Sequence, residues 1–326
     1  MANKSSLSSI FSAKTANETI EAAKVEKNPS MLWKEYWYEN EVCCLFADSN
    51  VGKSILAVQI ANSIAKTLKN NEKILYYDFE LSQKQFEKRY TDEKSQETFN
   101  FSDNFVRVEL NGDALNNYCR ETKKSLDEAL FEGIEENIKT YNSKILIVDN
   151  LSWLSNMKNS GATAGKLMQK LCMIKRKYSA SILVLSHTPK RNLGSVITQN
   201  SLSGSKTLTN FFDAMFTIGM SLKDSSIRYV KQVKVRTGEF KYDTDHVELC
   251  RIEKNGSFLG FKHIGYSSEK EQLTSSSSKV KTSSSYPKKR GRKIKRTHRF
   301  RSALVNARID TISKMVDLEL AEIYKN

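Results

Sequence analysis

Six apolar residues, Val42 to Ala47, run without a break into Asp-Ser-Asn-Val-Gly-Lys-Ser and then into a stretch with helical periodicity. No other feature constrains the fold as tightly. A buried strand that turns through a short loop into a helix leaves the first N–H groups of that helix without partners, and they face back over the loop. Gly52, Lys53 and Ser54 stand at that turn, in the strand, loop and helix order that a phosphate-binding loop requires. In this reading Ala47, Asp48, Ser49, Asn50, Val51, Gly52, Lys53 and Ser54 hold a nucleotide, with ATP and Mg2+ as the expected ligands. Gly52 lets the backbone approach the phosphates, Lys53 offsets β- and γ-phosphate charge, and the Ser54 hydroxyl reaches the metal. Ala47 replaces the first glycine of the usual GxxxxGK[ST] pattern, at a position that asks for a small side chain more than for positive φ. A chance Gly-Lys-Ser in a turn is the competing explanation, and the flanking strand and helix argue against it.

The pattern around this loop repeats. Strand-like runs at KILYYDF, FVRVEL, KILIVDN and SILVLS alternate with helical patterns after Ser54, after Ser82, from Leu126 to Tyr141 and from Gly165 to Tyr178. Such alternation predicts an α/β fold, a mostly parallel sheet with helices on both faces. After Phe211 the strands AMFTIG, IRYVKQVKV, HVELCRIEK and SFLGFKHIG follow one another without helices, which predicts antiparallel strands added to the same sheet. Asp149 closes KILIVDN, so its carboxylate is expected at the C-terminal edge of a central strand, where it can hold magnesium. Glu80 follows the strand after the loop helix and is the candidate general base. Asp78 competes for that role, and a helix-capping function beside Ser82 competes for Glu80.

Charge divides the chain unevenly. Of a formal charge of +15, the segment from Gln272 to Ile309 carries twelve cations and no anion, leaving +3 (15 minus 12) for the rest. Within it, PKKRGRK supplies Lys288, Lys289, Arg290, Arg292 and Lys293 around an Arg-Gly-Arg that resembles an AT-hook, a form suited to a narrow minor groove. Salt-dependent attraction to any polyanion is the broader expectation, and a nuclear-import signal has the same composition. Five cysteines show no CxxC and no zinc-like spacing with the four histidines, which reads as buried thiols of a reducing compartment. Apolar runs of about six residues are far short of the roughly 20 that a membrane span needs. The polar leader lacks an apolar signal core, so a cytoplasmic location is expected. The expected division is a leader at 1–30 with one short helix between Asn17 and Val25, a core domain at 31–266, a disordered Ser-rich basic linker at 267–301, and an amphipathic helix at 302–326.

Taken in order, WKEYWYENEVCCLFADSNVGKS, YYDFELS, ILIVDNLS, LVLSHTPKR, LSGSKTLTNFFDAMF and YVKQVKVR make the chain resemble RecA-like ATPases, and among them the hexameric plasmid replicative helicases called RepA. The resemblance spans about Leu32 to Gly265 and implies a ring of identical subunits in a bacterial cytoplasm. It implies phosphate and magnesium binding by Lys53 and Ser54, Glu80 as base, Asp149 as metal support and His187 as γ-phosphate sensor. Lys234 and Arg236 match the Lys-x-Arg pair that similar rings insert into the neighbouring subunit's site. Two same-face strand residues facing solvent are the plainer reading of that pair. Loops at 151–165 and 187–203 follow the strands nearest the site, so Lys158, Lys190 and Arg191 are candidates for contacting single-stranded DNA in a central channel.

The expected function is therefore a DNA-dependent, ring-forming ATPase acting as the replicative helicase of a plasmid or mobile element. An ATP-gated DNA-binding or loading accessory protein without unwinding would use the same residues. A small-molecule P-loop kinase is disfavoured by the lack of an Arg-rich lid.

Overall fold

The computed structural model describes residues 11–69, 71–152, 164–203 and 206–274, and the tail cations from Lys288 to Lys293, the predicted helix at 302–326 and Lys158 lie outside them. Within the described residues the chain builds α1 (Ala16–Lys24), β1 (Met31–Trp33), β2 (Trp37–Tyr38), β3 (Val42–Ala47), α2 (Lys53–Ala65), β4 (Lys73–Asp78), α3 (Gln83–Arg89) and β5 (Phe105–Val108). It continues through α4 (Gly112–Thr122), α5 (Leu126–Thr140), β6 (Ser143–Asp149), α6 (Ala164–Tyr178) and β7 (Ser181–His187). Four further strands, β8 (Ala214–Met220), β9 (Ile227–Lys234), β10 (Val247–Asn255) and β11 (Phe258–Ser267), precede a last short helix, α7 (Glu269–Gln272).

Nine strands form one sheet in the order β11-β10-β9-β8-β3-β7-β6-β4-β5. Pairing is parallel from β8 through β5 and antiparallel from β8 outward to β11, as the change of sequence pattern after Phe211 predicts. β3 is central, with β7 on one side and β8 on the other. Its six residues are all buried because both faces are covered, which is why the run reads as uniformly apolar rather than alternating. Val42, Cys44 and Phe46 point to the face packed by Leu130, Ile134, Leu167 and Leu171 of α5 and α6. Cys43, Leu45 and Ala47 point to the face packed by Leu56, Ile60 and Ile64 of α2 and by Tyr36 and Trp37. Each fully buried leucine or isoleucine there contributes about 1.5–3 kcal/mol.

Three features depart from the sequence-based expectation. The polar helix α4 buries no residue, so it carries little apolar signal to announce it. Cys119 on α4 and Cys172 on α6 are half-buried, whereas Cys43, Cys44 and Cys250 are buried. The expected linker starting at 267 begins instead as ordered structure. Glu269 of α7 is fully buried and pairs with Lys231, and the Gln272 carbonyl accepts a hydrogen bond from Leu222 N at 2.7 Å.

Candidate nucleotide-binding site

The C-terminal edge of the parallel strands gathers the candidate residues. β3 delivers the loop, and Gly52 caps α2 with φ 106° and ψ 21°, a left-handed conformation that glycine adopts without strain. A Cβ at this position would also meet Ile252 Cδ1 at 2.6 Å and Phe261 Cε2 at 3.0 Å, so β10 and β11 cover the loop closely. Asn50 adopts φ 64°, whereas Ala47 is not among the positive-φ residues. Ala47 is fully buried. Ser49 and Asn50 are exposed, and Val51 is buried against α2.

Lys53 folds back over this loop. Its Nζ donates to the Ala47 and Asp48 carbonyls at 3.0 Å each and stands 3.1 Å from His187 Nδ1. Burial draws the Lys53 pKa down, against the opposing pull of Asp149, Glu80 and Asp48. The His187 ring therefore stands between the two charges, with Nδ1 toward the Lys53 ammonium and Nε2 3.7 Å from Glu80 Oε1. Asn150 touches both partners, hydrogen-bonding Glu80 Oε1 and approaching His187 Nε2 at 3.1 Å. The nearby His187 ring is the main reason that Glu80 is held below the usual glutamate range, outweighing partial burial. Asn150 is a site residue that sequence reasoning missed, although it directly follows Asp149.

The three carboxylates separate cleanly by environment. Asp78 is buried, accepts from the backbone N–H of Glu80 and Leu81 and pairs with Arg107 Nε at 2.9 Å, so its oxygens are committed to structure. Glu80 does not cap α3, because the Ser82 hydroxyl and the Gln85 side chain form that capping box themselves. Its carboxylate is left at the site, 41% exposed. Asp149 is 1% exposed and accepts the Tyr76 hydroxyl at 2.7 Å through Oδ2, while Oδ1 has no hydrogen-bond partner. Burial pushes its pKa up to about 6, against the lowering effect of the Ser54 and Tyr76 hydroxyls. A buried carboxylate oxygen without a partner, beside the Ser54 hydroxyl, is a donor set that fits a hard divalent cation such as magnesium.

Asp48 ties the loop to the segment after β7. Its carboxylate accepts the Thr188 hydroxyl and lies 3.2 Å from Arg191 Nη2. Arg191, expected to face a nucleic-acid channel, is only 12% exposed and turns inward to Asp48 and to the carbonyls of Asn192 and Ser195. The carboxylate and those carbonyls hold its Nη1 and Nη2 groups inward, while Nε is buried without a partner. Lys190, one residue earlier, is exposed.

Lys234 and Arg236 lie at the other edge of the sheet. Lys234 pairs in register with Met215 at the start of β8, and its Nζ donates to the Thr209 carbonyl at 2.8 Å. Arg236 pairs with Asp213 at 2.6 Å and remains 61% exposed. Asp213 is in turn bound to the Val42 N–H at the first residue of β3. The length of β3, roughly 20 Å, therefore separates Arg236 from the loop that follows Ala47. Arg236, Lys175 and Arg176 line a cavity of about 490 Å3 at this edge.

This strand order, with its phosphate loop and adjoining carboxylates, is that of a P-loop ATPase domain. Residues 12–192, more than half of the 326, match the family model described as AAA domain (AAA_25), and the chain belongs to that family. No curated protein matches it. Among solved structures, a KaiC-like protein from the hyperthermophilic archaeon Pyrococcus horikoshii OT3 is similar at 15% identity and a TM-score of 0.45, over 69% of this chain and 91% of that one. Among the described residues, no helix is long and apolar enough to cross a membrane.

Proposed function

We propose that the chain is a DNA-dependent ATPase that works as a ring of identical subunits, as the replicative helicase of a plasmid or mobile element. The observation that carries this reading is the separation of the two halves of the catalytic apparatus. Arg236 is too far from its own phosphate loop to serve it, yet it stands exposed at an edge that a head-to-tail neighbour would meet. A heterologous contact of that kind closes into a ring when its rotation permits.

In this mechanism the N–H groups of Asn50 to Ser54 and the Lys53 ammonium bind the phosphates. Lys53 must release the Ala47 and Asp48 carbonyls to do so. Asp149 and Ser54 would hold magnesium, which when bound neutralises charge between the β- and γ-phosphates. Glu80 takes a proton from the attacking water, and its low pKa keeps it ionised for that task. His187 bridges Lys53 and Glu80, so it reports the presence of a γ-phosphate to the segment that begins at Thr188. Arg236 and Lys234 of the adjacent subunit stabilise charge as the γ-phosphoryl leaves. Lys190, and the cations from Lys288 to Lys293, supply the salt-dependent attraction to DNA.

Steady-state hydrolysis tests this reading when measured without nucleic acid, with single-stranded DNA and with duplex DNA, beside strand displacement on a forked substrate. The expected result is at least about tenfold stimulation by single strands, with directional displacement, retained when Lys288, Lys289, Arg290, Arg292 and Lys293 are changed to Gln. Hydrolysis indifferent to DNA, with DNA affinity lost in that variant, would overturn the motor in favour of an ATP-gated accessory protein tethered by its tail.

A further inference from the structure

A second cluster of ligand-type side chains lies on the sheet extension, outside the nucleotide site. β10 and β11 pair Cys250 with His263, and the next pair along the same face is Ile252 with Phe261. Glu248 precedes Cys250 by two residues and so shares its face of β10. One donor atom from each of Glu248, Cys250 and His263 lies within 4.8 Å of the other two. Spacing along the chain hides this set, because a register shift between Leu249 and Cys250 decides which β11 residue stands opposite the thiol.

The surroundings suit a cation. Glu248 is 3% exposed and Cys250 4%, while the His263 side chain is 42% exposed and forms the open rim. The Glu248 carboxylate lies 3.1 Å from His263 Nδ1 and accepts the Tyr36 hydroxyl at 3.2 Å, and Oε1 also pairs with the Lys34 ammonium. Positive charge is thus already drawn to this carboxylate, and the Lys34 side chain is 39% exposed and can swing to solvent. Zinc bonds of about 2.0–2.3 Å place tetrahedral ligands roughly 3.3–3.8 Å apart, so an inward shift of about 1 Å would complete the geometry.

We propose that Glu248, Cys250 and His263 form a binding site for a thiophilic divalent cation, with zinc the best match, and a fourth position left to water. A mixed sulfur, nitrogen and carboxylate set selects borderline-soft metals over magnesium or calcium. Binding exchanges the Cys250 proton and the Lys34 contact for the metal: the thiol proton leaves to solvent and the thiolate coordinates. Lys34, Tyr36 and Glu248 face the thiol from β10 and from the β1–β2 segment. The metal pins the β10–β11 hairpin directly beside Ile252 and Phe261, which cover Gly52, and Gln59 of α2 bonds both the N–H and the carbonyl of Phe261. Metal occupancy is thereby linked to how firmly the phosphate loop is covered.

Titration of the full-length protein with Co2+ tests the site, since cobalt bound to thiolate gives a near-ultraviolet charge-transfer band and zinc displaces it. The expected result is a saturable 1:1 band that Zn2+ abolishes. Cys250→Ser should remove the band, and His263→Ala, a change at the exposed rim, should weaken binding at least about tenfold. Lys34→Met should tighten binding, because a competing ammonium is gone. Absence of a charge-transfer band in the wild type, or a band of equal strength in Cys250→Ser, would overturn the proposal. So would unchanged affinity in both His263→Ala and Lys34→Met.

Discussion

The two edges of the parallel sheet differ in how their charges are held. At the C-terminal edge Lys53, His187, Asn150 and Glu80 form one connected chain of contacts, and Asp48 is clasped by Thr188 and Arg191. At the N-terminal edge Asp213 gathers Lys175 and Arg236, and Arg236 projects to solvent with most of its surface free. In the proposed mechanism the first edge supplies binding and a base. The second supplies exposed cations with no phosphate of their own subunit in reach. The difference is what motivates the proposal of a functional unit larger than one chain: Arg236, the cation proposed to stabilise a leaving phosphoryl, lies a strand length away from the loop proposed to bind it.

Replacing the base should have the largest effect. Glu80→Gln should retain ATP binding and lose hydrolysis by about 10^2 to 10^4-fold, measured as single-turnover rate. Asp78→Asn probes the contrast from the structural side. It leaves the partly buried Arg107 with only Glu109 and the Leu81 carbonyl as partners, and a loss of about 1–3 kcal/mol in denaturant stability is expected, with ATP hydrolysis per folded molecule largely kept. Equal loss of hydrolysis in both variants, at full stability, would move the base from Glu80 to Asp78.

Asp149 sharpens the comparison through pH. Its pKa is raised in the folded chain from 3.8 to about 6, so between those values the folded state holds a proton that the unfolded state has lost. Stability from this group therefore falls as pH rises through that window, by at most about 3 kcal/mol, and stays low above it. Asp149→Asn should accordingly raise the melting temperature at pH 7.5 without metal and lower magnesium-dependent hydrolysis at least about tenfold. A variant that is less stable than the wild type at pH 7.5 would show that the carboxylate is satisfied rather than strained in its buried place.

Much of this arrangement was legible in the sequence because both the phosphate loop and the central strands are local features. Val42 to Ala47 and Ile145 to Val148 are apolar throughout since both sheet faces are covered, and Gly52 is demanded by one backbone conformation. What stayed hidden depends on register and on competition between partners. Glu80 and Asp78 are two residues apart, and only the Arg107 pair and the Ser82–Gln85 capping box reveal which carboxylate is spare. Arg191 reads as a free loop cation until its contact with Asp48 is visible. The Glu248, Cys250 and His263 cluster depends on a single register shift, and α4 escapes notice because it buries nothing.

The most direct test of a shared catalytic site is to mix two inactive variants. Lys53→Ala removes the phosphate contact and Arg236→Ala the cation at the opposite edge, and each alone should hydrolyse ATP at least about 10^2-fold more slowly than the wild type. Mixed and allowed to assemble, they should recover activity that peaks near equal proportions, since some interfaces then join an intact phosphate loop to an intact Arg236. No recovery at any ratio, with mixed oligomers verified to form, would contradict a site completed by the neighbouring subunit.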